Sequence, residues 1–321
     1  MILALTIPSS VEGYYIDAIG DGAFRGFAGM TSVNIPASIT TLGDYAFEAC
    51  DGLREVVVHS RMETFGEGVF SSCKNLRKVK FRCPLTYVAD HLFDGCILLE
   101  AFDIPDGVTI IGDYAFKDCA SLQSVKLPQG LDSIGIEAFM GCSNLQEVVL
   151  PEGLTAIGDR PFVGCPQLSS IDIHDDNPAF DSYNKCNAVI ETLTNTLLYG
   201  CRTSTIPSQV TKIGPNAFAD CSGLTSMRIH EGVKSIGERA FAECSILKEM
   251  TLPSTLTSIG ISAFKDCKSL ELLKVRMRQP PSIDESVFSG CNSVRLFVPK
   301  GKSEDYLVSR GWMNFQIIED R

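Results

Sequence analysis

The chain has 321 residues, 45% of them hydrophobic and 21% charged, which is the composition of a folded protein and excludes a disordered chain. Its formal net charge is −11 and its Lys and Arg residues are scattered singly, so nucleic acid is not an expected partner. No apolar run approaches the roughly 18 residues that span a bilayer, and Met1 leads directly into repeat-like sequence. Neither a transmembrane segment nor a signal peptide is therefore predicted.

Phenylalanines recur at a constant interval along the chain. The first seven members of the series are 23 residues apart, and the register resumes after one enlarged repeat. An IG pair precedes most of them, Ala comes just before, Cys three residues after and Leu six residues after. Such self-similarity predicts a stacked repeat array. The series is Phe24, Phe47, Phe70, Phe93, Phe116, Phe139, Phe162, Phe218, Phe241, Phe264 and Phe288.

The second half of each repeat, such as LQSVKLP, predicts one short strand. Val125 and Leu127 alternate with polar residues, so the period of two places both inward and Lys126 outward. Pro128 ends the strand because proline has no amide hydrogen to donate. Strands stacked at about 4.8 Å make a parallel sheet with its outward positions on one side of the array.

The first half of each repeat, such as IGIEAFMGC, predicts a compact turn on the other side. Gly135 suits a tight bend in which a positive φ is allowed. Ala138, Phe139 and Cys142 then fall near one buried face of a short helical or 3-10 turn. The predicted fold class is an α/β repeat, namely a right-handed leucine-rich-repeat solenoid of 23-residue coils with a short parallel strand in each coil.

Two segments depart from the constant repeat length. Five extra residues precede the first repeat phenylalanine, and we expect the sequence around 13–15 to form a loop or short hairpin. The enlarged repeat spans roughly 175–211 and contains NAVIETLTNTLLYGC, which predicts an inserted β-hairpin. If Glu191 pairs with Thr196, Cys186 lies directly opposite Cys201, so the two sulfurs should be close and a disulfide is possible in oxidising surroundings.

The two ends also depart from the pattern. Ile2 and Ile7 match the strand half of a repeat whose phenylalanine half is missing, so we expect the chain to begin inside an array or after a removed leader. Residues 295–321 leave the repeat and carry Trp312, the only tryptophan. Because an open solenoid end exposes core, we interpret 295–321 as a C-terminal cap and 1–294 as the solenoid.

The repeats resemble those of the BspA-like leucine-rich repeat family, the treponemal class of these repeats. The resemblance covers essentially the entire chain and rests on IGxxAFxxC, on LxxVxLP, on NPAF in the insertion and on the VP…GW…F ending. The fourth repeat departs from it, with VADHLF around Phe93. The resemblance implies secreted or surface-exposed proteins of host-associated bacteria and some protists, implicated in adhesion to host matrix proteins and other microbes, without catalytic residues.

Ten of the 13 cysteines lie three residues after a repeat phenylalanine. Stacked coils keep their Cβ atoms farther apart than the roughly 3.8 Å of a disulfide, so we interpret them as buried free thiols that fill space. The alternative, a zinc site, would need paired CxxC or HxxxH spacings, which are absent. The ten are Cys50, Cys73, Cys96, Cys119, Cys142, Cys165, Cys221, Cys244, Cys267 and Cys291.

Other candidate chemistry is weaker. His59, His174 and His230 replace the strand-ending proline and are interpreted as tolerated surface positions. The acidic residues of 172–181 suit turns, caps or solvated carboxylates, with calcium binding as the alternative. GxSxG, HExxH and P-loop motifs are absent, and Arg25 occupies the third glycine position of a dinucleotide motif. No catalytic, cofactor or metal residues are predicted, and the protein is not expected to be an enzyme.

The outward strand positions are the candidate functional surface. They carry mixed charges without an aromatic cluster, which favours a protein partner over a small apolar ligand. We predict a non-catalytic extracellular or cell-surface module that binds a host or microbial protein. The alternatives are a structural spacer or a glycan-binding element of a larger cell-envelope protein, or an ordinary solvated face. The candidate binding residues are Glu55, Lys78, Lys80, Lys126, Glu147, Arg228, Glu249 and Lys274.

Overall fold

The computed structural model describes residues 3–313 and 315–319. It divides into two compact units, Met1–Cys165 and Pro166–Arg321. Both are β-solenoids with coils of about 23 residues, parallel strands and almost no helix, and the coils number about 13 in total. The predicted leucine-rich-repeat solenoid is confirmed, whereas Ile2, which was assigned to the first strand, lies outside the described residues.

Most coils of the first unit contain a main strand and a second strand of only two residues, which the sequence did not predict. The main strands pair in parallel, β1 with β5 and β7 with β9, and the short ones form the sheets β4-β6-β8 and β10-β11-β12-β14. The strands are β1 (Leu3–Thr6), β2 (Ser10–Val11), β3 (Tyr14–Tyr15), β4 (Ala18–Ile19), β5 (Met30–Asn34), β6 (Thr41–Leu42), β7 (Glu55–Val58), β8 (Thr64–Phe65), β9 (Lys78–Phe81), β10 (Tyr87–Val88), β11 (Ile110–Ile111), β12 (Ser133–Ile134), β13 (Glu147–Leu150) and β14 (Ala156–Ile157).

The second unit repeats this plan and adds the insertion. Its main strands form the parallel sheet β20-β22-β24-β25-β26, and its short strands continue from the inserted hairpin in the sheet β16-β17-β18-β19-β21-β23. The elements are β15 (Ser170–Ile173), β16 (Phe180–Asp181), a 3-10 turn (Tyr183–Lys185), β17 (Ala188–Glu191), β18 (Thr196–Gly200), β19 (Lys212–Ile213), β20 (Ser226–Arg228), β21 (Ser235–Ile236), β22 (Glu249–Leu252), β23 (Ser258–Ile259), β24 (Leu272–Val275), β25 (Arg295–Val298), α1 (Ser303–Leu307) and β26 (Gln316–Glu319).

The turn side of each coil is a series of hydrogen-bonded turns instead of the predicted short helical or 3-10 turn. The amide of Glu48 donates to the Tyr45 carbonyl inside the coil, at 3.0 Å. The amides of Tyr45 and Phe47 instead donate to the next coil, to the carbonyls of Glu67 (2.7 Å) and Val69 (2.9 Å). Tyr45 has a φ of 56°, which turns alternate amides out of the coil. A helix would direct all of them along it, so it could not join neighbouring coils.

The glycine of the IG pair is required by close packing. Gly135 is not among the residues with positive φ, so that expectation is wrong. A Cβ atom at Gly135 would lie 2.5 Å from both the Asp113 Oδ1 atom and the Gly112 carbonyl carbon of the preceding coil. The same Asp113 oxygen accepts a hydrogen bond from the Ile136 amide at 2.6 Å. Glycine therefore lets two coils approach closely enough for this bond.

The repeat phenylalanines form a continuous stack inside each unit. Neighbouring ring centroids are 5.2 to 6.1 Å apart from Phe24 to Phe162, and 5.1 to 5.3 Å apart from Phe218 to Phe288. Phe116 and its immediate neighbours in the stack, Phe93 and Phe139, are fully buried. Ring contacts of this kind connect neighbouring coils, so within each unit the rings form part of one shared core.

The residues assigned to the cap continue the second unit. Strands β25 and β26 belong to its parallel sheet. Trp312 is fully buried, lies 5.8 Å from Phe288 between ring centroids, and donates from Nε1 to the Pro281 carbonyl at 2.8 Å. The Tyr306 hydroxyl donates to the Met277 carbonyl at 2.7 Å. The division into a solenoid of 1–294 and a cap of 295–321 stays a prediction.

Both predicted hairpins are present, but one register prediction is wrong. Residues 10–15 form the antiparallel pair β2 and β3, and β17 pairs antiparallel with β18, with Glu191 opposite Thr196 as expected. A bulge between Val189 and Ile190 shifts the ladder by one residue, so that Ala188 pairs with Gly200. Cys186 is therefore not opposite Cys201, and both thiols are free and buried. Their oxidation to a disulfide stays a prediction.

The stack predicts a large cost for truncation of one ring. We expect Phe116→Ala to lower the free energy of unfolding of the first unit by about 3 to 5 kcal/mol, since it leaves a cavity between two stacked rings. Phe27→Ala is the control, because Phe27 is 39% exposed and surface changes usually stay within about 0.5 kcal/mol. Urea unfolding followed by circular dichroism measures both. Equal destabilisation by the two variants would contradict a shared core.

Candidate functional site

The outward positions of the main strands form an exposed surface on the first unit, here called the first sheet face. The strand positions that alternate with these outward ones point inward: Val56, Val79 and Val125 are at most 7% exposed. Charged positions are matched across coils, because Glu55 is the register partner of Lys78 and Asp103 that of Lys126. The face consists of Ser32, Asn34, Glu55, Val57, Lys78, Lys80, Ala101, Asp103, Ser124, Lys126, Glu147 and Val149, which are all exposed.

The corresponding second sheet face belongs to the second unit. Arg228, Thr251 and Lys274 are register partners along one column, and Ser226, Glu249 and Leu272 along the other. The face consists of Ser226, Arg228, Glu249, Thr251, Leu272, Lys274, Arg295, Phe297, Gln316 and Ile318, of which Ser226, Arg228, Glu249, Arg295 and Gln316 are exposed and the others half-buried.

A hollow of about 280 Å³ opens on the second sheet face. It is bordered by Arg228, Glu249 and Thr251 and by Arg276, which follows β24. The guanidinium of Arg276 lies 3.0 Å from a Glu231 carboxylate oxygen. Partial burial opposes ionisation of Glu231, but hydrogen bonds from Ser254 and Arg276 lower its pKa below the ordinary value. This ion pair fixes one cation at the side of the hollow.

The eight candidate binding residues lie on these two faces. Five are exposed on the first sheet face, namely Glu55, Lys78, Lys80, Lys126 and Glu147, and three belong to the second, namely Arg228, Glu249 and Lys274. Arg228 and Glu249 border the same hollow. The structure also adds Arg276 to the second group, which the sequence did not single out because it follows the strand. Their role in binding stays a prediction.

A second cluster lies on the turn side of the first unit and was not predicted. The Glu137 carboxylate pairs with Lys117 at 2.9 Å and with Arg160 at 3.0 Å, although its side chain is only 11% exposed. The hydrogen bond that Lys117 donates to the Glu137 carboxylate raises the pKa of Lys117. Lys117 also lies over the Tyr114 ring, which stacks on His91 with 4.6 Å between centroids. Every charge in the cluster has a partner, so we interpret it as a structural link between coils.

The cysteine column has a second role besides filling space. All 13 cysteines are free, and the predicted burial of the column is confirmed, with Cys221 and Cys291 half-buried. The Cys142 thiol donates to the Phe116 carbonyl one coil earlier, at 3.2 Å. The same bond recurs at 3.1 to 3.2 Å for Cys50, Cys73, Cys96, Cys119, Cys165, Cys244, Cys267 and Cys291. Nine of the ten column thiols therefore hydrogen-bond to the neighbouring coil.

The three strand-ending histidines serve the backbone. The Nδ1 atom of His59 accepts from the Arg61 amide at 3.1 Å, and that of His230 accepts from Gly232 at 2.9 Å. His174 makes the same contact two residues downstream, at 3.3 Å. All three are half-buried. Each histidine stands at the position of the strand-ending proline in other repeats, and its ring accepts a hydrogen bond from the turn that follows.

The acidic segment 172–181 runs from the end of β15 through a turn into β16. Asn177 Oδ1 accepts from the amides of Ala179 (2.9 Å) and Phe180 (2.8 Å), and Asp172 Oδ1 accepts from the Ile173 amide at 3.0 Å. Within residues 3–313 and 315–319, no group of three or more His, Cys, Asp or Glu side chains is placed to hold a metal ion. In the same part of the chain, neither helix has the length and apolar character needed to cross a membrane.

The stacked coils, their phenylalanine and cysteine columns and their exposed sheet faces define a leucine-rich-repeat solenoid. The BspA-type leucine-rich repeat profile matches in six copies over residues 2–123, 109–196 and 191–304. The chain therefore belongs to the BspA-type leucine-rich repeat family. Leucine-rich repeat proteins are generally non-catalytic, and the fold of this family is one of protein-interaction modules.

Solved bacterial structures share this fold. A leucine-rich cell surface protein from Faecalibacterium prausnitzii A2-165 superposes with a TM-score of 0.73 at 26% identity, over 96% of this chain and 90% of that one. A leucine-rich repeat protein from Bacteroides ovatus ATCC 8483 reaches 0.59 at 22% identity, over 99% and 92%. The pneumococcal vaccine antigen PcpA reaches 0.51 at 16% identity, over 100% and 89%. No curated protein matches the chain.

The buried thiols predict a loss of stability in alkali. Burial raises the pKa of Cys50 to about 11, while an unfolded thiol titrates near about 8.5. The unfolded state therefore releases this proton first, so its contribution to stability is intact below about pH 8.5 and is lost as the pH rises towards 11. As the pH rises between these two values, we expect the free energy of unfolding of Cys50→Ala to fall less than that of the parent. The difference should be on the order of 1 kcal/mol.

Urea unfolding at a series of pH values measures this difference. Val56→Ala is the matched control, because Val56 is also buried in the first unit but does not ionise. Its free energy of unfolding should fall with pH as steeply as that of the parent. A Cys50→Ala curve parallel to the parent curve would show that this thiol does not contribute to the alkaline loss.

Proposed function

We propose that this protein is a non-catalytic binding module, secreted or exposed at a cell surface, that recognises a host or microbial protein through its sheet faces. The observation that carries the proposal is the alternation along the main strands. Val79, which points inward, is 7% exposed, whereas Lys78 and Lys80 on either side are exposed. The inward side chains are buried in the core, and the outward side chains are the ones that remain available for recognition.

The shape of the faces supports a protein partner. Stacked parallel strands present a regular, broad surface with charged and small polar side chains, as in the polar part of a protein interface. The hollow beside Lys126 has about 260 Å³ and the one beside Arg228 about 280 Å³, whereas a hollow of about 410 Å³ is bordered by Phe288, Phe315 and Gln316 and by none of the candidate binding residues. Sites for small molecules usually measure about 300 to 1,000 Å³ and are mostly apolar. A large partner that contacts many strands fits these dimensions better.

The proposed location rests on the relatives. The F. prausnitzii structure, at 26% identity over nearly the whole chain, is described as a leucine-rich cell surface protein. A module at a cell surface meets matrix proteins and the surfaces of other microbes, which are the partners that we propose. A role as a spacer or as a glycan-binding element predicts different results in the same experiment.

Reversal of the lysines on the first sheet face tests the proposal. The purified chain is screened for binding to host matrix proteins, microbial surface proteins and glycans by biolayer interferometry. We expect Lys78→Glu, Lys80→Glu and Lys126→Glu together to weaken protein binding by about tenfold or more at low salt, because like charges across an interface are costly. The effect should shrink as salt screens the charges.

The control variants carry the same kind of change on the turn side. Lys74→Glu and Lys268→Glu each follow a column cysteine, are exposed, and should bind like the parent. Circular dichroism checks that all variants fold. A parent that binds no protein would overturn the proposal, and a parent that binds only glycans would favour the glycan-binding alternative. Equal loss of binding in sheet-face and turn-side variants would exclude the sheet face as the contact surface.

A further inference from the structure

We propose that the second sheet face binds an acidic, extended segment of a partner protein, with the Arg228 and Arg276 guanidinium groups as the anchor for its carboxylates. This inference rests on the proposed function, because it names the chemistry of the partner and the part of the chain that contacts it. We call Arg228, Lys274, Arg276 and Arg295 the basic cluster. The second sheet face, which carries this cluster, has more cations than anions, whereas the two are equal in number on the first sheet face.

The two faces differ in charge although they share one architecture. On the first sheet face, Lys78, Lys80 and Lys126 are accompanied by Glu55, Asp103 and Glu147, and two of these carboxylates are direct register partners of a lysine. In the sheet β20-β22-β24-β25-β26, the outward cations Arg228, Lys274 and Arg295 are accompanied by Glu249. Arg276 beside it is paired with Glu231, and the separate strand β15 of the same unit carries Asp172. This local excess occurs in a chain whose net charge is −11. A partner of complementary charge is therefore acidic.

The hollow provides the geometry for a carboxylate. Arg228 and Arg276 both border it, together with Ser226 and Thr251 and one carboxylate residue, Glu249. Arg276 is held in place by Glu231 at 3.0 Å. The Arg228 side chain is exposed and makes no hydrogen bond or ion pair with any residue that the structure describes. A guanidinium group matches a carboxylate with two parallel hydrogen bonds, so Arg228 is the open half of such a pair.

The neighbouring strands specify what else the segment contains. Phe297 is the register partner of Lys274, and Ile318 is that of Phe297, so the cationic column continues into apolar side chains. Both are half-buried and point to the same face as Arg228. Leu272 occupies the adjacent column. A segment that combines acidic residues with aliphatic or aromatic ones would contact the cations and this apolar part together, whereas a purely polyanionic chain would leave it uncovered.

The test uses a fluorescein-labelled peptide that alternates Asp with Leu and Phe, titrated with the full chain and followed by fluorescence anisotropy. Two matched peptides carry Asn or Lys at every Asp position. We expect the Asp peptide to bind at least about tenfold more tightly than either, with an affinity that falls as salt increases. Equal binding of the Asn peptide, or binding of a sulfated polysaccharide but not of the Asp peptide, would overturn the inference.

Variants locate the contact. Arg228→Glu combined with Arg276→Glu should weaken binding of the Asp peptide by about tenfold or more, and Arg228→Lys should weaken it less, because the charge stays while the paired hydrogen bonds are lost. Lys268→Glu, on the turn side of the same unit, and Lys74→Glu, on the turn side of the first unit, should leave it unchanged. Unchanged thermal unfolding confirms that each variant folds. Loss of binding in these controls but not in the arginine variants would refute the assignment.

The failure of this inference is distinguishable from the failure of the proposed function. If a protein partner found in the screen binds the arginine double variant as tightly as the parent, the basic cluster is not its contact, while the proposed function still holds. If no protein binds the parent chain, the proposed function fails, and the peptide titration then shows by itself whether the basic cluster recognises carboxylates.

Discussion

The structure depends on one constraint, which is that a single coil cannot bury its own apolar edge or satisfy its own amides. Alternate amides of the turn side, such as that of Phe47, donate to the next coil, and column thiols such as that of Cys73 donate to a phenylalanine carbonyl of the previous coil. The phenylalanine rings stack along the same direction. Hydrogen bonding and core packing therefore act between the same pairs of coils, so stability accrues through neighbouring repeats.

This constraint also determines where function can reside. Inward strand positions and the side chains of the phenylalanine and cysteine columns make the contacts between coils, and burial keeps most column thiols away from solvent. In IG pairs such as that of Gly135, the glycine cannot carry a side chain because the preceding coil occupies that space. Outward strand positions have no such restriction. The fold thus leaves its sheet faces free to vary in charge, which suits proteins that recognise different partners with one scaffold.

The two sheet faces illustrate that freedom. In the first unit, the register places carboxylates beside lysines, so that the charges compensate each other. In the second unit, the sheet carries Arg228 without an ion-pair partner among the described residues, beside a hollow and an apolar strip. A common backbone geometry therefore presents surfaces with different chemical preferences.

The sequence by itself determined the repeat length, the buried columns, the two hairpins and the outward positions of the strands, because each follows from local periodicity. Only the tertiary structure decided what depends on neighbouring coils. The bulge between Val189 and Ile190 separated Cys186 from the position opposite Cys201. The thiol donors, the close approach at Gly135 and the placement of Arg228 and Arg276 at one hollow likewise arise from coils packed side by side, since each involves residues that are distant in the chain.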